Sequence, residues 1–63
     1  MRIAKGQRLR IRRSPSADVV TVYVDDIIIM VDSESINVRV LITHDYSEEI
    51  GLWKLAQWVK DAA

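Results

Sequence analysis

Between Val19 and Ile42 the chain packs three aliphatic runs, VVTVYV, IIIMV and INVRVLI, into 24 residues with short polar breaks between them. Valine and isoleucine are stiff at χ1 and fit a pleated surface, and each run has the length of an ordinary strand. Asp25-Asp26 supplies a two-residue connection and Asp32-Ser33-Glu34-Ser35 a longer one, both of turn-forming residues. The expectation is an antiparallel meander in which Val24 pairs with Ile27 and Val31 with Ile36. One face of that sheet carries Val20, Val22, Val24, Ile27, Ile29, Val31, Ile36, Val38, Val40 and Ile42, all aliphatic. The other face carries Val19, Thr21, Tyr23, Ile28, Met30, Asp32, Asn37, Arg39 and Leu41, and is half polar.

Upstream, Met1 to Lys5 reads as a short extended start with a turn at Lys5-Gly6. Gln7 to Arg13 alternates arginines with Leu9 and Ile11, the pattern of a half-buried strand, and Ser14-Pro15-Ser16-Ala17 interrupts it. A hairpin closed there brings Leu9 and Ile11 onto the aliphatic face and sets Arg8, Arg10 and Arg12 beside Val19, Thr21 and Tyr23. Downstream, Asp45 with Glu48 forms a candidate capping box, with Ser47 as a rival N-cap, and a helix is expected to follow as far as Lys60 or Asp61. At 100° per residue Leu52, Leu55, Ala56, Val59 and Ala63 form one stripe, which would cover the aliphatic sheet face. Trp53 and Trp58 fall on its opposite shoulders. Gly51 weakens such a helix, so a loose first turn or a close approach to the sheet is its expected use. The fold class is α+β: one small domain, residues 1–63, a meander of three to four strands with one C-terminal helix on one face.

A chain of 63 residues buries only about 60% of its unfolded surface. Without cysteine it has no disulfide to compensate, and a partner chain is the remaining route to stability. The composition suits a cytoplasmic protein, no stretch is long enough to span a membrane, and the start lacks the apolar run of a signal peptide. Net charge is zero but unevenly spread: the first thirteen residues hold six positive charges and no negative one, against three and nine in the remainder. A basic arm of this kind meets an acidic partner, or protects an edge strand from aggregation.

Residues that could carry chemistry are few. His44 with Asp45 is the one histidine–carboxylate neighbourhood, and no cysteine or second histidine completes a usual metal site. Asp25, Asp26, Asp32 and Glu34 fall in two turns and lack the glycine of a calcium loop. With glycine only at positions 6 and 51 there is no phosphate-cradling loop. The expectation is a non-catalytic protein without cofactor or metal.

Binding is the better reading. The favoured function is protein–protein interaction, as a regulator or inhibitor of a larger protein, similar in size and economy to phage and mobile-element inhibitors. Arg8, Arg10, Arg12, Tyr23, Arg39 and Trp58 are the candidate partner-binding residues, Trp58 in preference to Trp53 because the Lys60 stem would shield the latter. The alternative is a nucleic-acid-binding regulator, in which a sheet face bearing the arginines, Asn37 and Tyr23 stacks bases and neutralises phosphates. Tyr23, Ile28, Met30 and Leu41 form a candidate homodimer interface. The basic first strand, Asn37-Val38-Arg39-Val40 and His44…Glu48-Glu49-Ile50 loosely resemble the carbon storage regulator family of small RNA-binding dimers. The Ala-Pro segment between those motifs is missing, and Asp45 stands where that family places an arginine toward RNA.

Overall fold

The computed structural model of the chain describes residues 2–30 and 35–63. The expectations placed on Val31, Asp32, Ser33 and Glu34 lie outside the described residues. Four antiparallel strands form one sheet in the order β1-β2-β3-β4: β1 Arg8–Ile11, β2 Val20–Met30, β3 Ser35–Thr43 and β4 Tyr46–Gly51. One helix, α1, Leu52–Asp61, packs across β1, β3 and β4.

The first hairpin forms as its alternation demands, with Leu9 opposite Val22 and Ile11 opposite Val20. A turn from Ser14 to Ala17 closes it, where the Ala17 N–H donates to the Ser14 carbonyl at 3.0 Å. Ahead of β1, Gly6 adopts φ 82°, a conformation that costs glycine nothing. That turn lets the Gly6 N–H reach the Val24 carbonyl at 2.8 Å.

Asp25 and Asp26 are not a hairpin turn. β2 runs straight through them, and the ladder passes from Val24 opposite Val40 to Asp26 opposite Arg39, leaving Asp25 as the extra residue of a β-bulge. The Asp26 carboxylate accepts from the Ile27 N–H at 2.9 Å. Ile27 therefore pairs with Val38 rather than Val24, and Ile36 pairs with Ile29 rather than Val31.

The core lies between the sheet and α1. Leu9, Ile11, Val22, Val24, Val38, Val40, Ile50 and Leu55 are buried, and Ile3, Ile27, Ile42, Leu52, Trp58 and Val59 pack against them. Three residues expected in this core are outside it: Ile29 and Ile36 are exposed because α1 is too short to cover the far end of β2 and β3, and Val20 is exposed at the opposite end of β2, where that strand begins.

The region before α1 is the largest departure from expectation. Tyr46–Gly51 is a strand, so Asp45, Ser47, Glu48 and Glu49 neither cap nor open a helix. Thr43 pairs with Tyr46 around His44 and Asp45, which makes that pair the tip of a tight hairpin. Strand pairing wins because β3 otherwise presents an unpaired edge, and because Ile50 drops into the core opposite Val38. Gly51 is the extended N-cap residue of α1 and makes no side-chain cap. A Cβ there would meet only the Asn37 Oδ1 at 3.8 Å, so close approach to the sheet is not its role.

Candidate interface on the outer sheet face

The face of the sheet away from α1 is read through its cross-strand rows. Arg8, Tyr23, Leu41 and Ser47 stand side by side across all four strands. Next along β2 comes a charged row, Asp26, Arg39 and Glu49, and beyond it Ile28, Asn37 and Gly51, then Met30 with Ser35. Asn37 donates to the Glu49 carboxylate at 2.8 Å. Tyr23 therefore sits opposite Leu41, not Ile28. The patch of Tyr23, Ile28, Met30 and Leu41 expected from the sequence is cut in two by the charged row, which occupies the register step that the bulge inserts.

The nearer half is the better formed. Tyr23, Leu41, Ile42, Thr43 and His44 line a shallow, mostly apolar depression at the end of the sheet next to the β3–β4 turn. Tyr23 is 48% exposed while Leu41 is half-buried beneath it. Arg8 lies opposite Tyr23 on the neighbouring strand and Arg10 opposite Thr21, one step further along; neither lines the depression itself, and both border the end of α1 near Val59, Ala62 and Ala63. His44 enters as wall rather than as reagent: its Nε2 lies 3.0 Å from the Asp45 carboxylate and both side chains are almost wholly in solvent.

Other expected site residues do structural work. Arg12 has left the arginine row: its backbone N–H donates to the Trp58 carbonyl at 3.0 Å, its Nε to the Asp61 carbonyl at 3.2 Å and its Nη1 to the Ala17 carbonyl at 2.7 Å. The guanidinium thus satisfies the Asp61 carbonyl at the helix C-terminus, where its charge suits the helix dipole, and ties it to the loop at Ala17. Trp58 is half-buried against the core, with the Arg13 guanidinium 5.0 Å and the Lys54 ammonium 5.9 Å from its ring centroid. Arg13 also pairs with Glu48. Its hydrogen bond holds the Glu48 carboxyl below the ordinary glutamate range, and the same bond raises the Arg13 guanidinium. Trp53, expected to be shielded by Lys60, is 91% exposed. It stands in the first turn of α1, which begins at Leu52, several residues later than the sequence suggests.

Among the described residues no polar or charged side chain is buried, and no group of three or more His, Cys, Asp or Glu gathers to hold a metal. No described helix is long and apolar enough to cross a membrane. Compared with known proteins, the chain matches no family model, no curated protein and no solved structure.

Proposed function

We propose that this chain is a small non-catalytic binding protein of the cytoplasm that docks on a larger protein, as its regulator or inhibitor, through the outer face of its sheet. The observation that carries the reading is the apolar depression of Tyr23, Leu41 and Ile42, with Arg8 opposite Tyr23 on the neighbouring strand. An exposed tyrosine over an apolar floor, flanked by arginine, has the makeup of an interface centre. It fits an apolar side chain of the partner with an acidic residue beside it.

Capture from host lysate with the parent and with Tyr23→Asp tests this. The expected result is a protein retained by the parent, insensitive to nuclease and lost with the variant. Equal retention by both would move the site off this face.

The pairing of Arg8 with Tyr23 also favours a second reading, a nucleic-acid-binding regulator in which the ring stacks on a base and the guanidinium meets phosphate. Retention on heparin that falls steeply between low and physiological salt supports it, and indifference to heparin removes it.

A further inference from the structure

β1 stands at the edge of the sheet, and two hydrogen bonds tell which of its backbone groups face outward. The Val24 N–H donates to the Gln7 carbonyl at 2.9 Å, so Gln7 turns its backbone toward β2. In an antiparallel ladder successive residues turn their N–H and C=O groups to opposite sides of the strand. Leu9 and Ile11 therefore bond to β2, while Arg8, Arg10 and Arg12 turn theirs away from it. The Arg12 N–H shows the outward direction, since it donates to the Trp58 carbonyl of α1 at 3.0 Å. The outward backbone groups of Arg8 and Arg10 meet no partner among the described residues.

That stretch of edge runs along a groove. Arg8, Leu9 and Arg10 form one wall, and Val59, Ala62 and Ala63 at the end of α1 form the other. The two sides of the strand differ in chemistry. Leu9 is buried on the helix side, whereas Arg8 and Arg10 are exposed on the outer face and make no ion pair with a described residue. No acidic side chain lines the groove. Arginines on a sheet edge repel basic strands and leave neutral ones without a charge partner, and the same charges favour an acidic strand laid beside them.

We infer that the free edge of β1 takes up an extended acidic segment of a partner protein, which adds to the sheet as a further strand. The backbone groups of Arg8 and Arg10 supply the ladder, and their side chains pair with acidic residues at alternate positions of the segment. The intervening positions face Leu9, Val59 and Ala62 and take small apolar side chains. The segment thus reads as acidic and apolar in alternation. This goes beyond the docking reading, because it uses the backbone edge of β1 and not the Tyr23 depression, which lies on the other side of that strand.

Fluorescence anisotropy with a labelled peptide of alternating glutamate and valine tests it. The peptide is expected to bind the parent, with an affinity that falls as salt rises, and the matching lysine–valine peptide is expected not to bind. Two further peptides, N-methylated at every glutamate or at every valine, each block the amides along one edge only. One of them is expected to lose binding and the other to keep it, because a strand added to β1 uses a single edge. Arg8→Gln with Arg10→Gln is expected to weaken the glutamate peptide several-fold with far-ultraviolet circular dichroism unchanged. The methylated pair decides the matter even where that double variant unfolds. Absence of binding, or binding that the two methylations leave alike or abolish alike, overturns strand addition. Tighter binding of single-stranded oligothymidylate than of the glutamate peptide overturns it by assigning the arginines to phosphate. Self-association of the parent that the double variant abolishes overturns it in favour of a second copy on the edge.

Discussion

Glu48 shows how one side chain is placed by its neighbours rather than by its own preferences. Glutamate is a poor strand former, and in β4 it faces the helix side, opposite Val40. It is tolerated there because it lies on the edge strand, where Arg13 reaches it from beyond β1 while its guanidinium covers Trp58. The pair is partly exposed, so its contribution is under about 1 kcal/mol. Its pH dependence has a definite sign. The carboxyl titrates lower in the folded protein than in the unfolded chain, so the stabilisation is present above the ordinary glutamate pKa, about 4.3, and is lost as pH falls through the lower folded value. Glu48→Gln is therefore expected to lower the melting temperature slightly at pH 7, with the gap to the parent closing at acid pH below that range. A gap that persists unchanged at pH 2 would mean that Glu48 acts through packing and not through its charge.

At the scale of elements, the meander with its C-terminal helix was legible in the sequence, and the bulge explains why the inward face was legible too although the strand boundaries were not. A two-residue hairpin places the residues flanking it on one face, and a one-residue bulge does the same to Val24 and Ile27, since each breaks the alternation by one step. Parity alone cannot separate the two. The signal that could have done so is the lack of glycine: the tightest hairpins demand φ > 0, and Asp25-Asp26 offers no residue that adopts it freely. The first hairpin was readable because Pro15 ends one alternating run just before the next. β4 was not readable, because Ser47, Glu48 and Glu49 before an amphipathic stretch carry local signals of a helix start, and only the open edge of β3 makes them a strand. The candidate site suffered with the strand boundaries. Tyr23, Arg8 and Arg10 were found by alternation, Leu41 by its parity, while His44 and Ile42 join the depression only through the hairpin that pairing on β3 creates. One deletion and one substitution test these elements. Deleting Asp25 leaves every β2–β3 partner in place and is expected to keep the fold at a cost of no more than about 1 kcal/mol, as for a surface change, whereas loss of cooperative unfolding would show that Asp25 is part of a true turn. Gly51→Ser fits the extended N-cap geometry, meets only an ordinary contact with Asn37 and supplies the missing acceptor. A gain of a few tenths of a kcal/mol in urea unfolding is expected, and a loss would place the restraint in the sheet instead.

For the molecule as a whole, the small core sets the terms. A domain of 63 residues carries about 3 to 9 kcal/mol of stability, and here the only fully buried residue of the helix is Leu55. Its side chain lies at 0% exposure in one cluster with Ile11, Val22, Val38 and Val40, and Leu52, Trp58 and Val59 pack around it. Leu55→Ala opens a cavity that a four-stranded sheet cannot close by relaxing, at a cost of about 2–5 kcal/mol. The expected outcome is a variant largely unfolded at 37 °C, with its near-ultraviolet tryptophan signal lost as Trp58 leaves the core. Trp53→Ala, by contrast, removes a side chain that is 91% exposed and should shift the melting temperature little. A Leu55→Ala protein that melts within a few degrees of the parent at every concentration would show that the sheet does not depend on the helix, and that the core described above is not what holds the molecule together.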